Sequence, residues 1–315
     1  MILYCFKRGN KLKRILSLLI AVIMALQVFA IGVNYAFASQ LSAPKVSGYC
    51  DLTDTPVVKW KTVKAAKKYF VYRSRKKNGK YKLLASTKLK YYEDKSAKLH
   101  KNYYYKVYAG RSKGGKWNYS PSSSAVKIKA MKTVFVGDSV MEGVEAYKAL
   151  PNGHFVTKIG VGTYSFYNGN RYSYKGRNVT GIDKLIYSKP DRVFLMFGMN
   201  ELAYASQKNI LKYYEYIIED LQDEFKDIEI ILLSVSPTSR NCGKTIPKKP
   251  VINKFNKKLK KFAAKHGCEY YDFTAPFKDK NGYLLSKYDG GDGCHWLPSS
   301  CKLFIKQINK YVKNN

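Results

Sequence analysis

The sequence predicts two folded domains, an all-β sandwich followed by an α/β domain with a parallel sheet. Residues 44–131 form short extended runs separated by turn residues, a pattern typical of a small antiparallel sandwich. From residue 132 onward, apolar strands alternate with long helical patterns, which indicates parallel crossover units. With 315 residues and 45% hydrophobic content, the chain can bury a large core, so a fibrous or wholly disordered protein is excluded.

Residues 1–38 have the three parts of a secretory signal peptide. Five Lys and Arg residues precede an apolar run over 15–33, and the small-x-small site Ala36-Phe37-Ala38 follows. We expect cleavage before Ser39 and an extracellular location, secreted or at the cell surface. The alternative is a retained anchor, because the apolar run is just long enough to span a bilayer; only then do we expect a membrane contact.

In residues 39–130, one strand pattern alternates in period two, which predicts that Tyr103, Tyr105, Val107 and Ala109 share a buried face. This stretch resembles a fibronectin type III domain, with Trp60 at the core tryptophan position and the corner tyrosine near Tyr103. An immunoglobulin-like domain has a similar pattern. The resemblance implies a spacer or adhesive domain rather than a catalytic one.

The same 39–130 segment is strongly basic, with 23 Lys and Arg against 4 Asp and Glu, in a chain whose net charge is +35. A field of this strength attracts anionic polymers. We therefore expect contact with an anionic cell-wall polymer and no specific nucleic acid. The alternative is an ordinary solvated basic face.

The α/β domain is predicted over residues 131–315. The apolar strands are predicted at 133–136, 155–159, 192–197, 228–235 and 269–273, with helices at 140–150, 208–225, 250–266 and 298–312. Ligands of parallel sheets bind at the carboxyl ends of the strands. The polar motifs of this region all follow strands or precede the last helix.

The first motif is Gly137-Asp138-Ser139, at the end of the first strand. Gly137 allows a tight turn, and the following helix directs its amino end toward the serine hydroxyl. Ser139 is therefore a candidate nucleophile. Asp and Ser are also common helix caps, so this motif alone is weak evidence.

Two further motifs offer hydrogen-bond donors at the same sheet edge. Ile159-Gly160-Val161-Gly162-Thr163 follows the second strand, and Gly198-Met199-Asn200-Glu201 follows the third. A glycine N–H and the Asn200 carboxamide can donate to a developing oxyanion. The alternative is that they serve only as a turn and a helix cap.

The fourth motif, Asp292-Gly293-Cys294-His295, lies in a glycine-rich loop before the last helix. Asp292 can hold one imidazole nitrogen of His295 while the other accepts a proton from Ser139. Because the imidazole must be neutral to accept that proton, we expect activity to fall in acid.

In this order, the four motifs resemble those of the SGNH, or GDSL, hydrolase superfamily, over residues 131–315. The resemblance implies a three-layer α/β/α domain with nucleophile Ser139, base His295 and orienting acid Asp292. It also implies an oxyanion hole made of the Ser139 amide, the Gly162 amide and the Asn200 side chain, with Gly160 as the other glycine candidate. Glu201 stands where the family usually has Asp, and Val140 where Leu is common. No metal or organic cofactor is implied.

Five cysteines follow the signal segment: Cys50, Cys242, Cys268, Cys294 and Cys301. The odd number argues against a full disulfide framework, although Cys294 and Cys301 are a candidate bridge. A zinc site of Cys294, His295 and Cys301 is disfavoured, because the spacing fits none of the usual paired zinc motifs.

The leading hypothesis is a secreted esterase that hydrolyses acyl esters, with acetyl esters as the expected substrates, on a cell-wall or extracellular polysaccharide. The alternative is a noncatalytic glycan- or polyanion-binding surface protein. Residues 164–181, rich in Tyr, Asn, Gly and Arg, could form a substrate-binding loop or a plain surface insertion.

Overall fold

In the computed structural model, the amino-terminal region is built from antiparallel strands. The structure describes residues 40–113, 115–169 and 171–315, so the predicted signal segment lies outside the described residues. The strands are β1 (Val46–Cys50), β2 (Pro56–Trp60), β3 (Lys68–Ser74), β4 (Lys82–Thr87), β5 (Tyr91–Glu93), β6 (Lys101–Lys113), β7 (Lys116–Tyr119) and β8 (Val126–Ala130). One sheet has the order β1-β2-β5. The other has the order β4-β3-β6-β7, with β8 also paired to β6.

The two amino-terminal sheets contribute to one buried cluster. On β6, the side chains of Tyr103, Tyr105, Val107 and Ala109 are all buried, which confirms the predicted alternation. Trp60 is buried as well. The hydroxyl oxygen of Tyr103 accepts a hydrogen bond from a backbone N–H five residues upstream at 2.8 Å, the contact that defines a tyrosine corner.

The carboxyl-terminal region contains a five-stranded parallel sheet of β9 (Thr133–Gly137), β10 (His154–Thr157), β13 (Arg192–Met196), β14 (Glu229–Leu233) and β15 (Glu269–Tyr271). The strand order in this sheet is β10-β9-β13-β14-β15. The helices are α1 (Ser139–Ala146), α2 (Thr163–Asn168), α3 (Gly181–Tyr187), α4 (Gln207–Glu224), α5 (Lys249–Lys265) and α6 (Pro298–Asn314). A hairpin of β11 (Tyr172–Tyr174) and β12 (Arg177–Val179) lies between α2 and α3.

Aromatic side chains show how helices pack against the central strands. The rings of Phe135 on β9 and Phe194 on β13 stack with centroids 5.1 Å apart. Both contact α6, Phe135 through Phe304 and Phe194 through Tyr311. Their neighbours in sequence point to the opposite face, and all residues of β9 and β13 are buried. Helices therefore cover both faces of the sheet.

The register of β9 and β13 sets the position of the motifs. Gly137, the last residue of β9, pairs with Met196, the last residue of β13. Because the strands are parallel, the segments that follow both residues leave the sheet side by side at its carboxyl edge. Ser139 and Asn200 lie in these two segments.

The 164–181 segment, predicted as either a substrate-binding loop or a surface insertion, includes residues of α2 and the β11–β12 hairpin. Lys175 and Gly176 both have positive φ, 50° and 77°, and form the two-residue connection of the β11–β12 hairpin. Tyr172 of this hairpin is buried against Phe166 of α2, with ring centroids 5.8 Å apart. Part of this tyrosine-rich segment therefore forms the core.

The two regions contact each other at the amino ends of the parallel strands. Leu52 is 1% exposed and belongs to the same buried cluster as the sheet residues. Asp54 accepts a hydrogen bond from the backbone N–H of Thr133, the first residue of β9, at 2.9 Å and lies 2.7 Å from Nε2 of His154. Arg192, the first residue of β13, donates to the carbonyl of Cys50 at 3.2 Å. The amino-terminal region thus docks at the amino ends of the parallel strands, opposite the carboxyl ends that carry the polar motifs.

None of the helices in the described ranges has the length and apolar character required to cross a bilayer.

Candidate active site

Ser139 lies at the point where β9 passes into α1. Asp138 caps the helix, because its side chain accepts the backbone N–H of Val140 at 3.0 Å. A Cβ atom on Gly137 would lie 2.7 Å from the carbonyl oxygen of Met196, so β13 leaves no space for a side chain there. As the first residue of α1, Ser139 has a backbone N–H without an intrahelical acceptor.

The predicted Ser-His-Asp side chains form one hydrogen-bonded chain. Nε2 of His295 lies 2.8 Å from Oγ of Ser139, and Nδ1 of His295 contacts Oδ2 of Asp292. Oδ1 of Asp292 also accepts the backbone N–H groups of Cys294 and His295, both at 2.9 Å. These backbone hydrogen bonds hold the Asp292 carboxylate in place relative to the His295 imidazole. The arrangement has the geometry needed to transfer a proton from the Ser139 hydroxyl to His295.

The environment of Asp292 favours its ionised form. Partial burial alone would raise the pKa of this carboxyl group. The hydrogen bonds from the His295 side chain and from the backbone of Cys294 and His295 outweigh burial and hold the pKa of Asp292 well below its usual range. Asp292 is therefore a carboxylate at neutral pH and can keep the proton of His295 on Nδ1.

Two of the three predicted oxyanion donors, Gly162 and Asn200, lie in segments that contact each other. Nδ2 of Asn200 donates to the carbonyl oxygen of Val161 at 3.1 Å. The N–H of Gly162, next along the chain, donates to Oγ of Ser165 at 3.1 Å, so this amide already has an acceptor. Gly160 lies in an exposed turn with φ of +68°.

Glu201 has a role that the sequence did not reveal. It is only 6% exposed, and its carboxylate accepts the N–H of Thr163 at 2.8 Å and the hydroxyl of Thr163 at 3.0 Å. Burial raises the pKa of Glu201 despite these hydrogen bonds. Glu201 therefore ties the segment after Asn200 to the first turn of α2, next to Gly162. Its position directly after Asn200 was the only sequence signal of this role.

Cys294 lies beside the triad. Its Sγ atom is 3.4 Å from Nδ1 of His295 and 3.7 Å from Oδ2 of Asp292. Burial, followed by the charge of Asp292, raises the pKa of the Cys294 thiol to about 12. All five cysteines in the described part of the chain are free, so the candidate bridge from Cys294 to Cys301 is not formed. Cys301 is buried in the first turn of α6, whereas Cys294 faces the triad.

Most of the α/β region matches a known protein family. The model of the GDSL-like lipase/acylhydrolase family matches residues 135–298. No curated protein matches the sequence.

Among solved structures, a GDSL-like lipase from Bacteroides thetaiotaomicron is 18% identical, covering 58% of this chain and 87% of that one, with a TM-score of 0.47. A carbohydrate esterase family 3 protein from Talaromyces cellulolyticus is 16% identical, covering 59% and 100%, with a TM-score of 0.42. An Fn3-like protein from Clostridium thermocellum is 26% identical, covering 29% and 94%, with a TM-score of 0.26.

The family model spans more than half of the chain and includes the serine, glycine, asparagine and Asp-x-x-His segments described above. The chain belongs to the GDSL-like lipase/acylhydrolase family.

Proposed function

We propose that this protein is a secreted serine esterase that removes acetyl groups from a cell-wall or extracellular polysaccharide. The observation that carries the proposal is the continuous hydrogen-bonded chain from Ser139 through His295 to Asp292. A noncatalytic binding protein has no need for this alignment.

In the proposed mechanism, Oγ of Ser139 attacks the ester carbonyl as Nε2 of His295 accepts the hydroxyl proton. Asp292, held as a carboxylate, stabilises the imidazolium that forms. His295 then returns the proton to the leaving alcohol, which leaves an acyl group on Ser139. Water activated by His295 releases the acid and restores the serine.

The oxyanion is proposed to bind the N–H of Ser139, the N–H of Gly162 and the Nδ2 group of Asn200. The Ser139 amide is at the positive end of α1. One Nδ2 proton of Asn200 is hydrogen-bonded to the Val161 carbonyl oxygen, and the second Nδ2 proton can bind the oxyanion. To bind the oxyanion, the Gly162 N–H must give up its hydrogen bond to Oγ of Ser165 or donate to both oxygens at once.

A polymeric substrate is supported by the exposure of the site. The side chains of Asp292 and His295 are 48% and 47% exposed, so a bulky ester can approach them from solvent. Two aromatic side chains follow the proposed oxyanion donors closely in sequence: Tyr164, 55% exposed, and Tyr204, 77% exposed. Exposed tyrosine rings can stack on sugar rings.

For the amino-terminal region, we propose a fibronectin type III-like sandwich that binds an anionic wall polymer after removal of residues 1–38. The excess of 23 basic over 4 acidic residues in 39–130 supports this role. Because true polyanion binding releases counterions, it must weaken steeply with salt.

The polymer proposal can be tested on the Ser139→Ala protein starting at residue 39, with teichoic acid as ligand at two salt concentrations. Reversal of the exposed Lys61, Lys64 and Lys77 to Glu should weaken binding. The matched control reverses three exposed lysines of α5: Lys254, Lys257 and Lys260. Equal losses in both variants would mean that only net charge matters, and the assignment to this region would be wrong.

The substrate proposal is tested by incubating the secreted protein with O-acetylated wall and plant polysaccharides and measuring the acetate released. We expect release by the wild type well above that of the Ser139→Ala variant. Esterase activity on a small acetyl ester without acetate release from any of these polymers would refute the substrate assignment alone.

A further inference from the structure

The proposed mechanism uses Asp292 and His295 but gives no role to the thiol between them. The ligand atoms of Asp292, Cys294 and His295 all lie within 4.8 Å of one another. These three side chains offer oxygen, sulfur and nitrogen, the ligand types that Zn²⁺ binds in proteins.

The distances suit one tetrahedral ion. With Zn–S near 2.3 Å and Zn–N near 2.0–2.1 Å, tetrahedral angles place sulfur and nitrogen about 3.5 Å apart. Sγ of Cys294 lies 3.4 Å from Nδ1 of His295 and 3.7 Å from Oδ2 of Asp292. Only the Asp292–His295 pair must separate, to about 3.3 Å. Both side chains are about half exposed, which gives the ion a path from solvent and gives this pair freedom to open.

We propose that Asp292, Cys294 and His295 form an inhibitory Zn²⁺ site that blocks the esterase by capturing its own Asp-His pair. The inhibition rests on the proposed function, whereas the metal binding does not. A water molecule completes the coordination. This set differs from the disfavoured Cys294, His295 and Cys301 combination, because Asp292 takes the place of Cys301.

The positions of the protons after zinc binding explain the inhibition. Binding releases the thiol proton of Cys294 to solvent. Coordination at Nδ1 leaves a neutral imidazole with its proton on Nε2, the nitrogen that faces Oγ of Ser139. That nitrogen can then donate to the serine but cannot accept its proton. The metal thus fixes the tautomer that is inactive as a base.

The ligand set also predicts selectivity. A thiolate and an imidazole favour Zn²⁺ over Mg²⁺ and Ca²⁺, which prefer oxygen ligands. Zinc chloride should therefore inhibit hydrolysis of p-nitrophenyl acetate, a chelator should reverse the inhibition, and magnesium chloride at the same concentration should have no effect.

The decisive comparison is zinc inhibition of Cys294→Ala and Cys301→Ala, each measured relative to its own metal-free rate. Cys301 is an equally free and buried thiol in α6 and serves as the matched control. We expect the inhibitory zinc concentration to rise at least about 10-fold for Cys294→Ala and to stay at the wild-type value for Cys301→Ala. Equal zinc sensitivity of wild type and Cys294→Ala would overturn the proposal.

A second readout requires no activity. Cobalt chloride added to the Ser139→Ala protein should give the near-ultraviolet absorption of a thiolate–Co²⁺ bond, and zinc should displace it. The band should disappear when Cys294→Ala is added to Ser139→Ala and persist with Cys301→Ala. If the band behaves in this way but the wild-type protein has no esterase activity, the metal site is supported and the proposed function is refuted. Absence of the band would refute the metal site itself.

Discussion

Gly162 and Glu201 lie so close together that a Cβ atom on Gly162 would be 2.1 Å from Cδ of Glu201. The Glu201 carboxylate is buried and held by Thr163, so it cannot move aside without losing these hydrogen bonds. We predict that Gly162→Ala lowers the rate of ester hydrolysis strongly, because the donor segment and α2 must shift. Activity of the purified variant, with its thermal unfolding temperature, checks this.

Gly160→Ala is the matched control for Gly162→Ala. A Cβ on Gly160 meets no atom within 4 Å, and the cost there comes only from its φ of +68°. Strain of this kind costs about 1–2 kcal/mol. We expect Gly160→Ala to keep most of the activity; the opposite ranking of the two variants would make Gly160 the important glycine.

Asn200 is proposed to donate to the oxyanion. Replacement by Ala should lower kcat by roughly 100-fold or more, with a smaller change in KM, as for single oxyanion donors in other hydrolases. Asn200→Asp keeps the shape but loses the donor and adds a negative charge, so it should be at least as slow. Steady-state kinetics decide this, and a normal kcat in Asn200→Asp would remove this donor from the mechanism.

Asp138 should make stability depend on pH. Complete burial raises its pKa to about 7 in the folded protein, against about 3.9 for an unperturbed Asp. A raised carboxyl pKa means that the folded state favours the protonated form. The contribution of Asp138 to the free energy of unfolding therefore falls as pH rises from about 4 to about 7. The advantage of Asp138→Asn over wild type in free energy of unfolding should grow by up to about 1.4 kcal/mol per pH unit across that window.

Urea unfolding of wild type and Asp138→Asn at pH 5 and pH 7 measures this difference. Asn keeps a side-chain oxygen that can cap Val140. A constant difference between the two proteins at both pH values would contradict the perturbed pKa of Asp138.

Leu52 joins the amino-terminal region to the hydrolase core. It is 1% exposed within the cluster that includes the parallel sheet, so Leu52→Ala should lower the free energy of unfolding by about 2–5 kcal/mol. Leu83→Ala, at a position 53% exposed on β4, is the matched control and should change stability little. Denaturant unfolding followed by tryptophan fluorescence tests this, and equal effects of the two substitutions would argue against a shared core.

The sequence predicts the parallel strands and the meeting of Ser139 with His295 because both follow from one rule. Apolar strands alternating with helices give a parallel sheet, and motifs at the carboxyl ends of such strands meet at one edge. The register that pairs Gly137 with Met196 then brings the segments of Ser139 and Asn200 together.

Contacts that depend on the exact path of distant segments could not be predicted. Glu201 binds Thr163, which lies 38 positions away in the sequence, and no local sequence pattern indicates that partner. Leu52 lies in a turn of the amino-terminal region, where a single apolar residue gives no sign of its burial. The hairpin turn at Lys175-Gly176 did have a signal, since a glycine in a two-residue connection suits positive φ, but its short strands lack clear alternation.

The central claim is that Ser139 and His295 act as nucleophile and base across their 2.8 Å contact. Its most direct test is p-nitrophenyl acetate hydrolysis by wild type, Ser139→Ala and His295→Ala, with circular dichroism to verify folding. We predict that each substitution lowers kcat by at least about 1,000-fold, because the members of such a triad act as a unit. Equal rates for wild type and folded Ser139→Ala would contradict the account.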